Sequence, residues 1–327
     1  MTVLLTGAAG FVGLALLERL LGDGRTVIAF DRRPLPATLL PRFGALPGTL
    51  TPMQGDVMDA AAVAAALRAH QVTHVIHAAA ITSAASREAT DPAAVVGVNL
   101  VGTANVAHAA AVAGVRRFVL IGSISAFGSG HPGAATFDDE TPHAPRTLYA
   151  LGKSGAETVV ARLGELHGFD WGVGRLGWVF GPYEYATGLR DTLNAVHQLT
   201  AAARAGRAVS LPRPARRNWH FVRDAVHGLV TLLDAPALRH RAYNLGPGHI
   251  WALNQWCALL AERYPAFHWS VGGEGEPIEL YADQEGALLG GERFRAEFGT
   301  PPWHDLAAAF AAYVQFLDET GGFGMPA

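Results

Sequence analysis

The sequence predicts an α/β fold: a parallel, doubly wound sheet followed by a smaller C-terminal lobe. Three observations carry this reading. Short apolar runs alternate with amphipathic helical stretches from residue 2 to about residue 176, the rhythm of strand–helix–strand units with parallel strands. The first of these runs meets its helix across three spaced glycines, Gly7, Gly10 and Gly13. Beyond Pro182 the rhythm breaks into mixed, shorter segments, which places a domain of residues 1–182 before a lobe of residues 183–327. No linker marks that boundary, so the chain is free to cross it more than once.

In chain order, Thr2–Thr6 reads as a strand and the stretch up to Leu21 as a helix. Residues 26–30 form a second strand ending on Asp31, residues 53–56 close a third, and residues 60–68 are helical. The run His74-Val75-Ile76-His77-Ala78-Ala79-Ala80 is a buried fourth strand, and a long helix covers about 91–113, stopped by Gly114. A fifth strand at 117–123, a helix at 149–166 and a sixth strand at 171–176 complete the alternation. In the lobe, helices are expected at 192–205, 224–233, 253–263 and 303–317, and strands at 208–211 and 242–245.

Composition narrows the function. The chain has 327 residues and a net charge of −3, with 16% charged residues, and lacks the basic surface a nucleic-acid partner requires. One cysteine, Cys257, excludes an internal disulfide and a cysteine zinc site. His74 and His77 stand three apart on a strand, on opposite faces, so no metal pair is expected. Alanine-rich stretches such as 60–69 are too short and too weakly apolar to span a bilayer. The expectation is a cytoplasmic protein with no membrane partner.

A strand feeding a helix across Gly7, Gly10, Phe11, Val12 and Gly13 fits a dinucleotide. Glycine permits the tight turn, close backbone approach to a pyrophosphate, and packing of helix on sheet. The helix N-terminus offers free N–H groups to phosphate. Asp31, ending the second strand, is placed to accept hydrogen bonds from the adenosine ribose, which favours NAD over NADP. Arg32 and Arg33 beside it keep NADP open as the lesser alternative.

Tyr149 and Lys153 stand one helical turn apart and share a face. Of 25 basic residues only Lys153 is a lysine, so a position that keeps an ammonium among arginines calls for something a guanidinium does not supply. Free tyrosine is a poor base at neutral pH, and a nearby ammonium favours the phenolate. Such a pair can take the proton of a secondary alcohol while hydride leaves to a nicotinamide.

These residues, with Gly55-Asp56-Val57, His77-Ala78-Ala79-Ala80, Asn99, the run from Gly122 to Gly128 and Gly181-Pro182, resemble the extended short-chain dehydrogenase/reductases, the NAD-dependent epimerase/dehydratase group. The resemblance runs to about residue 235 and more loosely beyond. It implies a Rossmann-type cofactor domain, with Ser123 bonding the reacting oxygen, Tyr149 as acid/base, and Lys153 holding the nicotinamide ribose and depressing the tyrosine pKa. It also implies Asp56 and Val57 at the adenine, Ala78, Ala79 and Ala80 along the cofactor, Asn99 supporting the site, and a homodimer through the helices at 91–113 and 149–166.

Departures from the group shape the expected reaction. Dehydratases similar to this chain carry an Asp-Glu pair shortly after the serine, where Ile124, Ser125 and Ala126 stand here. Sugar-nucleotide epimerases usually place an asparagine at the position of Trp178. Arg217 keeps their cationic position. Thr82, Ser83, Ser125, Phe127, Trp178, Arg217 and His220 are the expected pocket residues for a small, polar, sugar-like substrate. The expected activity is NAD-dependent oxidation of a secondary alcohol of a sugar or sugar acid. The alternatives are a nucleotide-sugar epimerase with tightly bound NAD and a non-catalytic NAD-binding protein.

Overall fold

The structure, a computed structural model, describes residues 1–128, 136–280 and 288–325. Its main strands are β1 (Thr2–Thr6), β2 (Thr26–Asp31), β3 (Thr49–Gln54), β4 (His74–His77), β5 (Arg117–Ser123), β6 (Trp171–Leu176), β7 (Trp178–Phe180), β8 (Trp219–Phe221) and β9 (Ala242–Asn244), with shorter strands such as Val209–Leu211 in the lobe. The main helices are α1 (Phe11–Gly22), α2 (Ala60–Ala69), α3 (Thr103–Val112), α4 (Leu148–His167), α5 (Ala195–Arg204), α6 (Val222–Asp234), α7 (Leu253–Arg263) and α8 (Leu306–Glu319).

Seven strands form one sheet in the order β3-β2-β1-β4-β5-β6-β9, each pair parallel. The order reverses between β1 and β4, where a crevice opens at the carboxyl ends of an α/β sheet. Side chains alternate across the sheet. Val3, Leu5, Val27 and Val119 join α1 and α6 on one face, while Leu4, Ile28, Val75 and Phe118 join α2, α3 and α4 on the other. Both faces are covered, so the strands read as near-continuous apolar runs. Each buried leucine or valine contributes about 1.5–3 kcal/mol to such a core. Although α6 and β9 follow residue 182, both belong to the sheet layer, so the chain returns to it after entering the lobe.

Several predicted elements differ in extent. β4 ends at His77 because residues 78–80 leave the sheet to run past the glycine turn, where a Cβ on Gly7 would stand 2.5 Å from the Ala79 nitrogen. β3 spans six residues and ends at Gln54, so Asp56 lies in the following turn, where its carboxylate accepts from the Met58 N–H at 2.9 Å. The long helix expected at 91–113 starts at Pro92 and carries a π turn at Gly97–Gly102. Within that turn the Asn99 amide clamps Ile81, accepting from its N–H at 2.8 Å and donating to its carbonyl at 2.9 Å. Pro92–Val112 is long and apolar enough to cross a bilayer by length and composition; here its buried face packs against α2 and α4.

Candidate active site

Glycine at two positions makes the first cavity. Gly7 adopts φ +68, and a Cβ at Gly13 would lie 2.1 Å from the Gly7 carbonyl. The turn is therefore closed to side chains, and α1 begins behind it with no side-chain cap on its N–H groups. A groove of about 160 Å³ runs from here between the ends of β1, β2 and β4. Gly7, Gly10, Phe11, Val12 and Gly13 line its middle, Asp31, Arg32, Asp56 and Val57 one end, and Ala78, Ala79 and Ala80 a side wall. The shape suits an extended dinucleotide laid over the turn, with anionic groups at the helix N-terminus.

Asp31 also builds the turn itself. Its carboxylate accepts from the Ala9 N–H at 3.0 Å and the Arg33 N–H at 2.9 Å, which fixes the end of β2 against the glycine turn. Arg33 lines the groove as well, its Nε 3.8 Å from the Asp31 carboxylate, and it donates to the Thr187 carbonyl at 2.9 Å. Arg32 is exposed, 4.0 Å from Asp56. Asn99, expected at the cofactor, does not line the groove; its amide is spent on Ile81.

A segment from the far side of the sheet crosses this groove. After β7 the chain lays residues 183–192 across the glycine turn. The Tyr185 hydroxyl donates to the Ala9 carbonyl at 2.6 Å, and Thr187 receives Arg33. Arg190 pairs with Thr82 in a short bridge, and the Thr82 N–H donates to the Leu189 carbonyl at 2.9 Å. Asp191 binds Arg87 and the Ala84 N–H, which anchors the strap at its far end.

Beside the groove lies a second cavity of about 280 Å³, sharing Val12, Ala78, Ala80, Thr82 and Arg190 with it. Ser123, at the end of β5, and Tyr149 and Lys153, one turn apart on α4, line it together with Ser83, Ser125 and Trp178. Thr147 caps α4, accepting from the Ala150 N–H at 3.1 Å, so Tyr149 enters on the first turn of a 20-residue helix. The helix seats closely because Gly152 faces Asn99: a Cβ there would lie 2.7 Å from the Asn99 Cβ.

Tyr149 retains some surface, but its phenol is enclosed. Burial raises the phenol pKa, while Ser123, the charge of Arg190 and Thr82 act to lower it. The Lys153 ammonium lies 6.0 Å from the Tyr149 ring centre and donates to the Ile121 carbonyl at 3.0 Å. Burial depresses its pKa to about 8, with Glu157 acting in the opposite direction. The charge of Arg190 is a second cation beside the phenol, one the sequence did not single out.

Three expected pocket residues stand elsewhere. Phe127 is fully buried, stacked on Phe137 at 5.2 Å with the Arg175 guanidinium against its ring. His220 is fully buried on β8, its ring 5.7 Å from that of Trp303, and lines neither cavity. The cause is the parallel pair of β7 and β8, which puts His220 opposite Val179 in the interior. Arg217 is 2% exposed with its guanidinium 4.0 Å from the Trp178 ring centre, and it lines neither cavity. Conversely, Arg146 and Arg190 line the second cavity without having been singled out in the sequence. Nothing at residues 146 or 190 sets them apart there; the strap and the α4 entry bring them in.

A sequence profile described as the NAD dependent epimerase/dehydratase family matches residues 3–246. The chain is 29% identical to a UDP-glucose 4-epimerase of Mycolicibacterium smegmatis, over 97% of this chain and 98% of the relative. It is 27% identical to a dTDP-glucose 4,6-dehydratase of Streptomyces griseus, over 95% and 92%. Among solved structures, the Thermotoga maritima UDP-glucose 4-epimerase with UDP-glucose superposes with a TM-score of 0.82 at 20% identity, over 98% of this chain and 99% of that one.

Proposed function

The chain belongs to the NAD dependent epimerase/dehydratase family, and on that premise we propose that it oxidises a secondary alcohol of a sugar or sugar-acid-like substrate by hydride transfer to NAD. The carrying observation is the continuity of the two cavities. The wall they share brings the Tyr149 phenol and Ser123 beside the far end of the glycine-turn groove. A dinucleotide held along Gly7–Gly13 with its adenosine toward Asp31 and Asp56 supplies a hydride acceptor at that end.

In this reading Ser123 and Thr82 orient the substrate hydroxyl against Tyr149, which accepts its proton as hydride departs. Lys153, buried below and bonded to the Ile121 carbonyl, keeps a positive charge under the phenol and reaches toward the nicotinamide ribose. No Asp or Glu stands among the described residues lining the second cavity, which leaves elimination of water without a carboxyl acid. Homodimerisation belongs to the same reading. Val101, Val112, Leu151 and Leu166 leave an apolar face exposed on α3, the turn before it, and α4.

Tyr149→Phe tests the proposal. Turnover should fall at least a thousandfold while NAD binding, followed by tryptophan fluorescence, stays within twofold; surviving turnover would overturn the role of Tyr149. One observation favours a second reading, an epimerase that oxidises its substrate and reduces it again on the other face. The strap over the groove, pinned at Ala9, Arg33 and Thr82, is suited to retaining cofactor between turnovers. Denaturing the purified protein and quantifying nicotinamide per chain separates the two. Near-stoichiometric NAD selects the epimerase, whereas an empty protein that binds NAD reversibly selects the dehydrogenase.

A further inference from the structure

We propose that the second cavity is built for a sugar that carries an anion on its own ring, a carboxylate or a phosphate, received by Arg146 and Arg190. This rests on the redox reading above and names its substrate class. The charges around the cavity are one-sided: Lys153, Arg146 and Arg190 line it, and no described acid does. Lys153 is spent at depth on the Ile121 carbonyl, which leaves the two arginines for a ligand.

Their settings differ in a useful way. Arg190 is held from behind. Its Nε donates to the Thr192 carbonyl at 3.2 Å and lies 3.4 Å from the buried Glu184 carboxylate, and the strap pins its backbone to Thr82. Its two terminal nitrogens make no hydrogen bond among the described residues and remain for a ligand. Arg146 stands exposed just before the α4 cap and has no hydrogen bond or ion pair among the described residues. A guanidinium presents two parallel N–H groups that match a carboxylate or phosphate edge, which an ammonium does not. Tyr149 lines the same cavity as Arg190. An anion drawn to it therefore lies close to the reacting alcohol, on the sugar ring itself and not on a distant nucleotide arm. Arg217, the cation that the sequence reading expected in the pocket, is buried and lines neither cavity, so the charge recognition moves to this pair.

The test uses the full chain carrying Tyr149→Phe, saturated with NAD so that no turnover occurs. Binding of glucuronate, glucose 6-phosphate and neutral glucose is measured by calorimetry at low and high salt. At least one charged sugar should bind ten times or more tighter than glucose and weaken as salt rises. Adding Arg146→Gln should remove about tenfold from the charged sugar only. Unchanged NAD affinity shows that this variant is folded, since Arg146 does not line the cofactor groove. Preference for glucuronate alone assigns a carboxylate, and preference for the phosphate alone assigns a phosphoryl group. Equal binding of glucose, or an Arg146→Gln variant that binds the charged sugar undiminished, would overturn the proposal. Because binding is read without chemistry, failure of the redox reading appears separately, as absent turnover in the wild-type chain.

Discussion

Burial makes the Tyr149 phenol a weaker acid than free tyrosine, so the neighbouring side chains must recover what enclosure takes away. Ser123 and Thr82 supply hydrogen bonds and Arg190 supplies charge. A positive charge favours phenolate, so removing it raises the phenol pKa further. Arg190→Gln should therefore move the rising limb of the pH profile of kcat, measured at saturating substrate, to higher pH, while kcat at high pH recovers toward wild type. An unmoved limb would mean that Arg190 does not act on the phenol. The sequence makes Ser123, Tyr149 and Lys153 legible because strand end and helix turn bind them to fixed local spacings. Arg190 is not legible, because its position depends on a strap folding back across the sheet from residue 183, and no local pattern encodes that return.

At the scale of elements, α4 is fastened to the sheet by a buried ion pair that also stands behind Lys153. The Arg175 guanidinium on β6 donates to both Glu157 oxygens, at 2.8–3.1 Å, and a Cβ on Gly122 of β5 would meet the same carboxylate at 2.9 Å. Glu157 lies one turn beyond Lys153 and is the acid that holds the lysine pKa up. Both partners are less than a tenth exposed, so removing one leaves a charge stranded in the interior. Glu157→Gln should destabilise the chain by about 3–5 kcal/mol in denaturant unfolding. A loss under 1 kcal/mol would show that Arg175 finds another partner. Most of the sheet strands and the packed helices could be read from period and glycine punctuation. What escaped were elements defined by tertiary pairing: the π turn at Gly97–Gly102, set by the Asn99 clamp, and β7 with β8, three residues each and stable only beside one another. That missed pair is why His220 looked available for substrate and is not.

For the molecule as a whole, the buried histidines decide the behaviour in acid. His77 bridges the sheet and α3, its Nδ1 2.7 Å from the Thr6 hydroxyl and its Nε2 3.0 Å from that of Thr103. His220 has neither ring nitrogen partnered among the described residues. Burial lowers the pKa of each to about 3 from an ordinary 6.5. Below pH 6.5 the unfolded chain binds protons at these positions that the folded chain refuses. Their contribution is therefore complete above 6.5 and declines as pH falls toward 3, by about 1.4 kcal/mol per pH unit for each histidine. The melting temperature should hold steady above pH 7 and drop progressively below 6.5. His220→Phe removes two unpartnered polar atoms, keeps an aromatic ring against Trp303, and titrates nothing. It should raise the melting temperature at pH 7 and make the acid decline shallower. An acid decline as steep as in the parent chain would show that His220 takes up its proton while folded.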